Sequence, residues 1–376
     1  MRSKTFKIPV LLSWLILAVI VVSARAQSPA ASAGQRLILD VVVTDAAGAP
    51  VSGLTPKDFT LFDKGKQMPL AGFQAVNAAI NGAKVAAKVP TEVTIVLDTV
   101  NTVSDVSSSD RQLGGVYLTV NEGADDLTYA RAQLSTYLRN NPHLDYPVTI
   151  LLFNEKGAKP IAPASADGNV LADALAKVDA NLRPARQSQG FYGGLERMQL
   201  STAALSSLAM DAVKRPGRKV MLWLGRGWPL LQGTDAETDS KQSKLLFGTA
   251  VTLSTELRLA RMSLYAIDPS RVPGEDRSAW VQYVPYTKPL TNWKSAAIGH
   301  LAAQVLAEQS GGLPINSPNA VLSQQIADCI ATDTQGYVLL YDAAPATQKD
   351  EFHDLKIEVN RPGVKVRTRV GYYAQP

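Results

Sequence analysis

The chain has 376 residues, of which 46% are hydrophobic, so it is long enough for one α/β domain and a smaller unit. Its formal charge of +5 would suggest an acidic partner, but four basic residues and no acidic residue lie in the first 26 positions. Without that segment the formal charge is +1, which argues against nucleic-acid binding. The single cysteine, Cys329, excludes a disulfide within the chain.

Residues 1–26 have the layout of a secretory signal peptide. A basic start is followed by an apolar run, Ile8–Val22, and then by the small-x-small sequence Ala24-Arg25-Ala26. We therefore expect cleavage before Gln27 and a periplasmic or secreted mature protein with no integral membrane segment. A retained membrane anchor is the alternative, for which the apolar run is short.

Both ends of the mature chain show the period-two pattern of β-strands. Residues 36–76 alternate between apolar and polar side chains with turns between the runs, and residues 336–373 return to the same pattern. Either set is too small to be stable alone, so we expect the two to pack together as one β-sandwich. Residues 77–92 are predicted to be a connector, and residues 93–333 an α/β domain between the two sets of strands.

Four nearly continuous apolar runs in the middle of the chain predict buried strands. They are Thr94–Asp98, Val148–Phe153, Val220–Leu224 and Ser263–Ile267. Helical patterns lie between and after them, near residues 127–140, 170–182, 195–214, 241–261, 296–309 and 320–331. Alternating buried strands and helices predict an α/β fold, a mostly parallel sheet with helices on both faces. The loops at 103–126 and 269–293 are predicted to be unusually long.

Polar residues follow each buried strand, and the carboxyl ends of parallel strands are where ligands meet such sheets. These candidate binding residues are Asp98, Asn101, Thr102, Asn154, Glu155, Arg226, Trp228 and Asp268. Arg226, Trp228 and the following Pro229 could form a rim that grips a partner. The alternatives are that Asp98 and Asn101 are hydrogen-bonding caps of a turn and that the rim is a solvated loop.

Several motifs, in the same order, resemble the von Willebrand factor A-related proteins found in Acidobacteria. They are Leu39-Asp-Val-Val-Val-Thr-Asp45, Leu54-Thr-Pro-Lys-Asp-Phe59, Val96-Leu-Asp-Thr-Val-Asn-Thr102, Pro216-Gly-Arg-Lys219, Trp223-Leu-Gly-Arg-Gly-Trp-Pro229, Leu306-Ala-Glu-Gln-Ser-Gly-Gly312 and Arg367-Thr-Arg-Val-Gly-Tyr-Tyr373. The resemblance covers nearly all of the mature chain. It implies a Rossmann-like A-type domain, and it implies the fold more strongly than the function.

The resemblance also implies a possible cation site. A-type domains commonly hold a divalent cation through a D-x-S-x-S loop, a threonine from a second loop and an aspartate from a third. Asp98 and Thr102 match two positions of the first loop and Thr202 could be the second-loop threonine, but Val100 and Gly225 stand where oxygen donors belong. We therefore predict a degenerate site with no cofactor, and weak binding of Mg²⁺ or Mn²⁺ is the alternative.

The sequence offers little support for an enzyme. It has no H-E-x-x-H, G-x-S-x-G, P-loop or G-x-G-x-x-G motif. Asp98, Glu155 and Asp268 could form a pair of strand-end carboxylates, so an extracytoplasmic hydrolase is one alternative. We predict an exported, non-enzymatic binding or adhesion module for a protein or polysaccharide of the cell envelope. A metal-dependent adhesion protein is the other alternative.

Overall fold

The computed structural model describes residues 35–76, 79–80, 83–84, 91–102, 122–178, 190–228, 239–270, 283–316 and 319–376. The predicted signal peptide lies outside the described residues, as do much of the predicted connector and most of the predicted loop at 103–126. Among the residues that are described, no helix has both the length and the apolar character needed to cross a membrane.

Strands occur from one end of the described chain to the other. In chain order they are β1 (Arg36–Thr44), β2 (Phe59–Asp63), β3 (Lys66–Met68), β4 (Gly72–Val76), β5 (Ala79–Ile80), β6 (Ala83–Lys84), β7 (Thr91–Asp98), β8 (His143–Asn154), β9 (Gly157–Pro160), β10 (Ser165–Asp167), β11 (Arg218–Leu224), β12 (Met262–Ile267), β13 (Pro314–Ile315), β14 (Gly336–Asp342), β15 (Glu351–Val359), β16 (Lys365–Arg367) and β17 (Gly371–Ala374).

Helices separate the central strands, as the sequence pattern predicts. They are α1 (Glu122–Asn140), α2 (Gly168–Lys177), α3 (Gly190–Val213), α4 (Ser240–Leu259), α5 (Ala303–Ser310) and α6 (Leu322–Asp333). Two of them begin at aspartate caps, because the side chains of Asp167 and Asp239 accept hydrogen bonds from backbone N–H groups of the first turn. Helix α1 begins five residues before the predicted start, since the segment 122–126 contains no proline or β-branched residue that would oppose a helix.

The central sheet has the strand order β10-β8-β7-β11-β12-β13, and β7, β8, β11, β12 and β13 are parallel. Side chains of β7 alternate between two hydrophobic clusters. Val96 packs into one cluster with α3 and α4, while Ile95 and Leu97 pack into the other with α1 and α6. A strand that is buried on both faces must be apolar at nearly every position, which explains the continuous runs. The predicted α/β class, with a mostly parallel sheet, is confirmed.

Two features of the central domain differ from the sequence prediction. Strand β8 turns back into the antiparallel strands β9 and β10, which the pattern after Phe153 did not indicate. The predicted helix at 296–309 is interrupted, because this segment forms the 3₁₀ turn Ile298–Leu301 and then α5, and another 3₁₀ turn, Trp293–Ser295, precedes it. Gly299 lies in that broken segment, where a Cβ would come within 2.3 Å of the Tyr286 ring, so the chain there is shaped by a tertiary contact.

The strands at the two ends of the chain pair with each other in two antiparallel sheets. Their orders are β16-β1-β14-β4 and β17-β15-β2-β3. Leu39 and Tyr337 from the first sheet share one hydrophobic cluster with Leu61 and Ile357 from the second. Pairing between distant segments therefore supplies the partners that neither end could find locally.

A buried polar cluster lies between these two sheets around Asp63. Its Oδ2 accepts hydrogen bonds from the hydroxyls of Tyr372 at 2.7 Å and Tyr341 at 3.2 Å, and its Oδ1 lies 2.9 Å from His353 Nδ1. Asp63 and His353 are each 1% exposed. The cluster joins β2, β14, β15 and β17 in the interior between the two sheets.

A second buried charge links the central sheet to the C-terminal strands. Asp333, at the end of α6, is fully buried, and its Oδ1 lies 2.8 Å from Nη2 of Arg218 and 3.3 Å from Nη2 of Arg367. Arg218 begins β11 and Arg367 ends β16, while Nη2 of Arg367 also donates to the Tyr265 hydroxyl at 2.6 Å. One carboxylate therefore compensates guanidinium groups from two separate sheets.

Stability at acid pH is expected to depend on Glu351. Its hydrogen bond with Lys64, followed by those with the Thr347 N–H and hydroxyl, lowers the pKa of Glu351 to about 2 from its ordinary 4.5. A depressed carboxyl pKa gives stability that is fully present above pH 4.5 and is lost as the pH falls toward 2. Denaturant unfolding of the wild type and of Glu351→Gln across that range should show a steeper loss in the wild type. Parallel pH profiles would contradict this assignment.

Candidate functional site

The carboxyl end of β7 places Asp98 beneath the edge of the sheet, where its side chain is 1% exposed. Its Oδ1 accepts hydrogen bonds from the backbone N–H groups of Val100 at 2.8 Å and Asn101 at 2.9 Å. Its Oδ2 accepts from Asn101 Nδ2 and from the indole Nε1 of Trp223, both at 2.7 Å. The carboxylate thus receives four N–H donors from its own chain.

These four contacts use the whole accepting capacity of Asp98. An ionised carboxylate has about four lone-pair sites, and it accepts hydrogen bonds without donating any. Burial raises the pKa of Asp98 above its ordinary value, and the hydrogen bonds from Trp223, Asn101 and Val100 oppose that shift. The donors favour the charged form, because each of them would meet a poorer acceptor if the carboxyl were protonated.

Neighbouring residues of the same turn are also committed to internal contacts. Asn101 Nδ2 donates to Ser201 Oγ on α3 at 2.9 Å, and the hydroxyl of Thr99 donates to the carbonyl of Phe153 at 2.8 Å. The Thr102 hydroxyl points back toward the carbonyl of Thr99 at 3.4 Å. Val100 is 1% exposed and belongs to the hydrophobic core. This turn is therefore held by both polar bonds and apolar packing.

The glycine that follows β11 is required by the position of Asp98. A Cβ on Gly225 would lie 2.7 Å from the Cβ of Asp98, which is closer than real carbon atoms approach. In the sequence, Gly225 indicates only the loss of a charged ligand. In the structure, Asp98 already occupies the space that any side chain at position 225 would need.

An ion pair borders the open side of this turn. Arg226 donates from Nε at 2.9 Å and from Nη2 at 2.7 Å to Oδ2 of Asp126 in α1, and the Arg226 carbonyl accepts from Gln304 Nε2 at 3.2 Å. A pocket with about 240 Å³ of empty space, part of it open to solvent, lies between β7, α1 and the loop after β11. Its polar lining is formed by Asp98, Asn101, Thr102, Asp126 and Arg226.

The interpretation of Trp228 as part of an exposed rim is wrong. Its side chain is 1% exposed and meets the Trp223 ring edge-on, with the ring centroids 4.7 Å apart. Trp223 in turn packs against Phe153 at 5.2 Å. An indole has a large apolar surface, and here that surface is buried in the core rather than offered to a partner. Pro229 lies outside the described residues.

The other candidate residues are distributed around the sheet rather than gathered in this pocket. Asn154 accepts from the Lys156 N–H at 2.9 Å within the β8–β9 turn, and Glu155 is exposed in that same turn. Asp268 accepts from the Ser270 N–H at 2.9 Å after β12. Thr202 lies within α3, where its hydroxyl donates to the Met198 carbonyl of its own helix at 2.9 Å. Of the candidate residues, the pocket lining includes Asp98, Asn101, Thr102 and Arg226.

Three residues of the site were not predicted from the sequence. Trp223 lies inside an apolar run and was therefore interpreted only as a core residue, although its buried indole N–H is a hydrogen-bond donor. Ser201 and Asp126 lie on helices whose facing side could not be assigned without the tertiary arrangement. The Trp223 N–H was the one available signal, since a buried indole needs a partner and Asp98 ends the neighbouring strand.

The donors present do not fit a divalent cation. Mg²⁺ requires several oxygen ligands in octahedral geometry, but both oxygens of Asp98 accept hydrogen bonds from N–H groups, which leaves Asn101 Oδ1 as a single buried oxygen of this turn without a hydrogen-bond partner in the part of the chain that the structure describes. Within the described ranges, no group of three or more histidine, cysteine, aspartate or glutamate side chains is placed to hold a metal ion. A cation at Asp98 would first have to break the hydrogen bonds that hold the turn.

Comparison with known proteins finds von Willebrand factor A structures at low sequence identity and low TM-score. No family model matches the chain, and no curated protein matches it. A von Willebrand factor type A structure from Catenulispora acidiphila covers 92% of this chain and 75% of its own, at 9% identity and a TM-score of 0.31. BatB from Bacteroides thetaiotaomicron covers 64% and 95%, at 13% identity and a TM-score of 0.28. The SpRpn10 VWA domain covers 65% and 97%, at 9% identity and a TM-score of 0.30. The Acidobacteria type stays a prediction.

Proposed function

We propose that the protein is an exported, non-enzymatic binding module that recognises a protein or polysaccharide of the cell envelope without a bound metal. The saturated carboxylate of Asp98 carries this proposal, because four internal N–H donors occupy the group that would otherwise serve as a metal ligand or as a reactive acid. Export rests on the signal-peptide pattern of residues 1–26, and it predicts a mature chain that begins at Gln27.

The recognition surface that we propose is the outer part of the pocket at the ends of the strands. Asp126 and Arg226 are partly buried there, with side chains 13% and 16% exposed, so their ion pair holds its geometry against solvent. A preformed pair of opposite charges can exchange hydrogen bonds with either a peptide or a sugar hydroxyl. We further propose that the two antiparallel sheets form a β-sandwich that carries the inserted A-type domain.

A hydrolase remains a less favoured candidate. Two carboxyl groups must face one bond for acid and base catalysis on a sugar. The pocket at the strand ends includes Asp98 and Asp126 but neither Glu155 nor Asp268. Asp98 accepts four N–H donors and Asp126 is paired with Arg226, so neither carboxylate is left to act on a bond. No contact in the described structure favours that alternative.

Capture of partners from a cell-envelope extract by the mature chain from Gln27 onward tests the proposal. Binding should persist in EDTA, because no metal takes part, and Arg226→Gln should weaken it at least about fivefold by removing a charge-assisted contact. Arg139→Gln is the matched control, since Arg139 forms an exposed ion pair with Asp173 on another surface. Capture that disappears in EDTA would restore metal-dependent adhesion, and equal binding by both variants would place the interface elsewhere.

A further inference from the structure

A second pocket lies at the opposite edge of the parallel sheet, where β12 begins. It has about 260 Å³ of empty space, a volume that includes open solvent, and its polar lining comes from four parts of the chain. One of these polar residues belongs to β1, three lie at or just after the end of α4, one ends α5 and one follows β16. These residues are Asp40, Arg258, Arg261, Ser263, Ser310 and Arg369. The lining therefore contains three guanidinium groups and one carboxylate.

The carboxylate in this pocket is already paired with one of the arginines. Arg261 donates to Asp40 through both arms of its guanidinium group, from Nη2 to Oδ1 at 2.6 Å and from Nε to Oδ2 at 3.1 Å. Such a two-pronged contact uses the geometry in which arginine and carboxylate fit best. Two positive charges in the lining are left without this compensation.

Those two charges belong to Arg258 and Arg369. Arg369 is 8% exposed, and among the described residues the charge of Asp40 acts on it, although no side-chain hydrogen bond or ion pair joins the two groups. Nε of Arg258 is buried and has no hydrogen-bond partner within the described ranges. Burial, and then the neighbouring charge of Arg258, lower the pKa of Arg369 to about 9. Burial also lowers the pKa of Arg258.

Two neighbouring guanidinium groups in a largely buried pocket repel each other and lower the stability of the fold unless a negative charge lies between them. Arginine stays protonated at neutral pH, so neither guanidinium group can relieve the repulsion by losing its proton. Removing an ion from water is strongly unfavourable when no counter-charge compensates it. The hydroxyl of Ser263 borders the same space and can donate a further hydrogen bond, whereas Ser310 is engaged with the Ala307 carbonyl and the Leu264 N–H.

We propose that this pocket binds a small oxyanion, which is held between the guanidinium groups of Arg258 and Arg369 with the Ser263 hydroxyl as a neutral donor. Tetrahedral phosphate and sulfate and a planar carboxylate share the chemistry that two guanidinium groups recognise. Because Arg258 lies in the last turn of α4 and Arg369 follows β16, the bound anion joins the central domain to the C-terminal strands. Binding is therefore coupled to stability.

Titration calorimetry and thermal unfolding of the mature chain test this site. Inorganic phosphate, sulfate and acetate are the probes, and sodium chloride at equal ionic strength is the control. Phosphate or sulfate should bind with a saturable heat and raise the melting temperature in proportion to the logarithm of its concentration. Saturable binding of acetate alone would identify a carboxylate group as the ligand, and heats that do not saturate with any of the three would overturn the site.

Variants separate this pocket from general charge effects. Arg369→Gln and Arg258→Gln should each weaken phosphate binding at least about tenfold, because each removes one charge-assisted contact. Arg215→Gln, on an exposed ion pair with Glu92, should bind as the wild type does. Arg258 is only partly buried, so its variant provides the readout if Arg369→Gln does not fold. Unchanged affinity in Arg258→Gln would contradict the proposal.

Discussion

Replacement of Asp333 by alanine is expected to lower the free energy of unfolding by about 3–5 kcal/mol, the usual cost of removing one partner from a buried ion pair. Asp333 is fully buried and compensates both Arg218 and Arg367. Its loss leaves those guanidinium groups in the interior without a carboxylate partner. Denaturant unfolding at neutral pH measures the change directly.

A matched control for this substitution lies on the same helix. Asp328 is exposed and accepts a hydrogen bond from Gln324 at 2.8 Å, so Asp328→Ala should change the stability by less than about 0.5 kcal/mol. The difference between the two losses of unfolding free energy separates the effect of removing the buried charge from the effect of the changed helix propensity. Similar small losses in both would show that the Asp333 contacts contribute little and that the two arginines find other partners.

Asp98→Ala is expected to cost about 3 kcal/mol, since it leaves the Trp223 indole N–H and three other donors without their acceptor. The loss should be the same in EDTA and in millimolar Mg²⁺ or Mn²⁺. Trp223→Phe is the companion variant, because it removes one donor and keeps the aromatic packing against Phe153 and Trp228. Its cost should be smaller, about 1–2 kcal/mol.

Metal dependence would contradict this account of the turn. If Mg²⁺ or Mn²⁺ raised the melting temperature of the wild type but not of Asp98→Ala, the ion would have to displace at least one of the four N–H donors. Calorimetry with micromolar affinity for either ion would lead to the same conclusion. A stability loss that is identical with and without metal supports a purely structural carboxylate.

The central strands were predictable because a strand buried on both faces of the sheet is a continuous run of apolar residues in the sequence. Residues 95–97 and Val220–Leu224 are apolar at every position, and both runs lie inside observed strands. The β8–β9 turn was harder, because Asn154 and Glu155 fit an exposed loop as well as a hairpin. The break in the helix at 296–309 depends on the ring of Tyr286 against Gly299, a contact that no local pattern contains.

The site was only partly predictable for a related reason. The polar cluster after β7 indicated Asp98 and Asn101 correctly as residues of one turn, because short polar side chains bond to the backbone within a few positions. The choice of Trp223 as the fourth donor depends on the lateral register of β7 and β11, which sequence alone does not determine. The burial of Trp228 depends on its edge-on contact with Trp223, a tertiary contact that no local pattern contains.

The pairing of β1 has a consequence for how the protein must be made. Both of its neighbours, β14 and β16, lie near the end of the chain, and Arg36 pairs with Asp342 across 306 positions. Closing a loop of that length costs about 5 kcal/mol in chain entropy before any contact stabilises it. A chain that stopped before Gly336 would present β1 with two open edges and an apolar face, which is a template for aggregation. Strand β1 is therefore made long before its partners, and it can complete its sheet only after β14 and β16 have been synthesised.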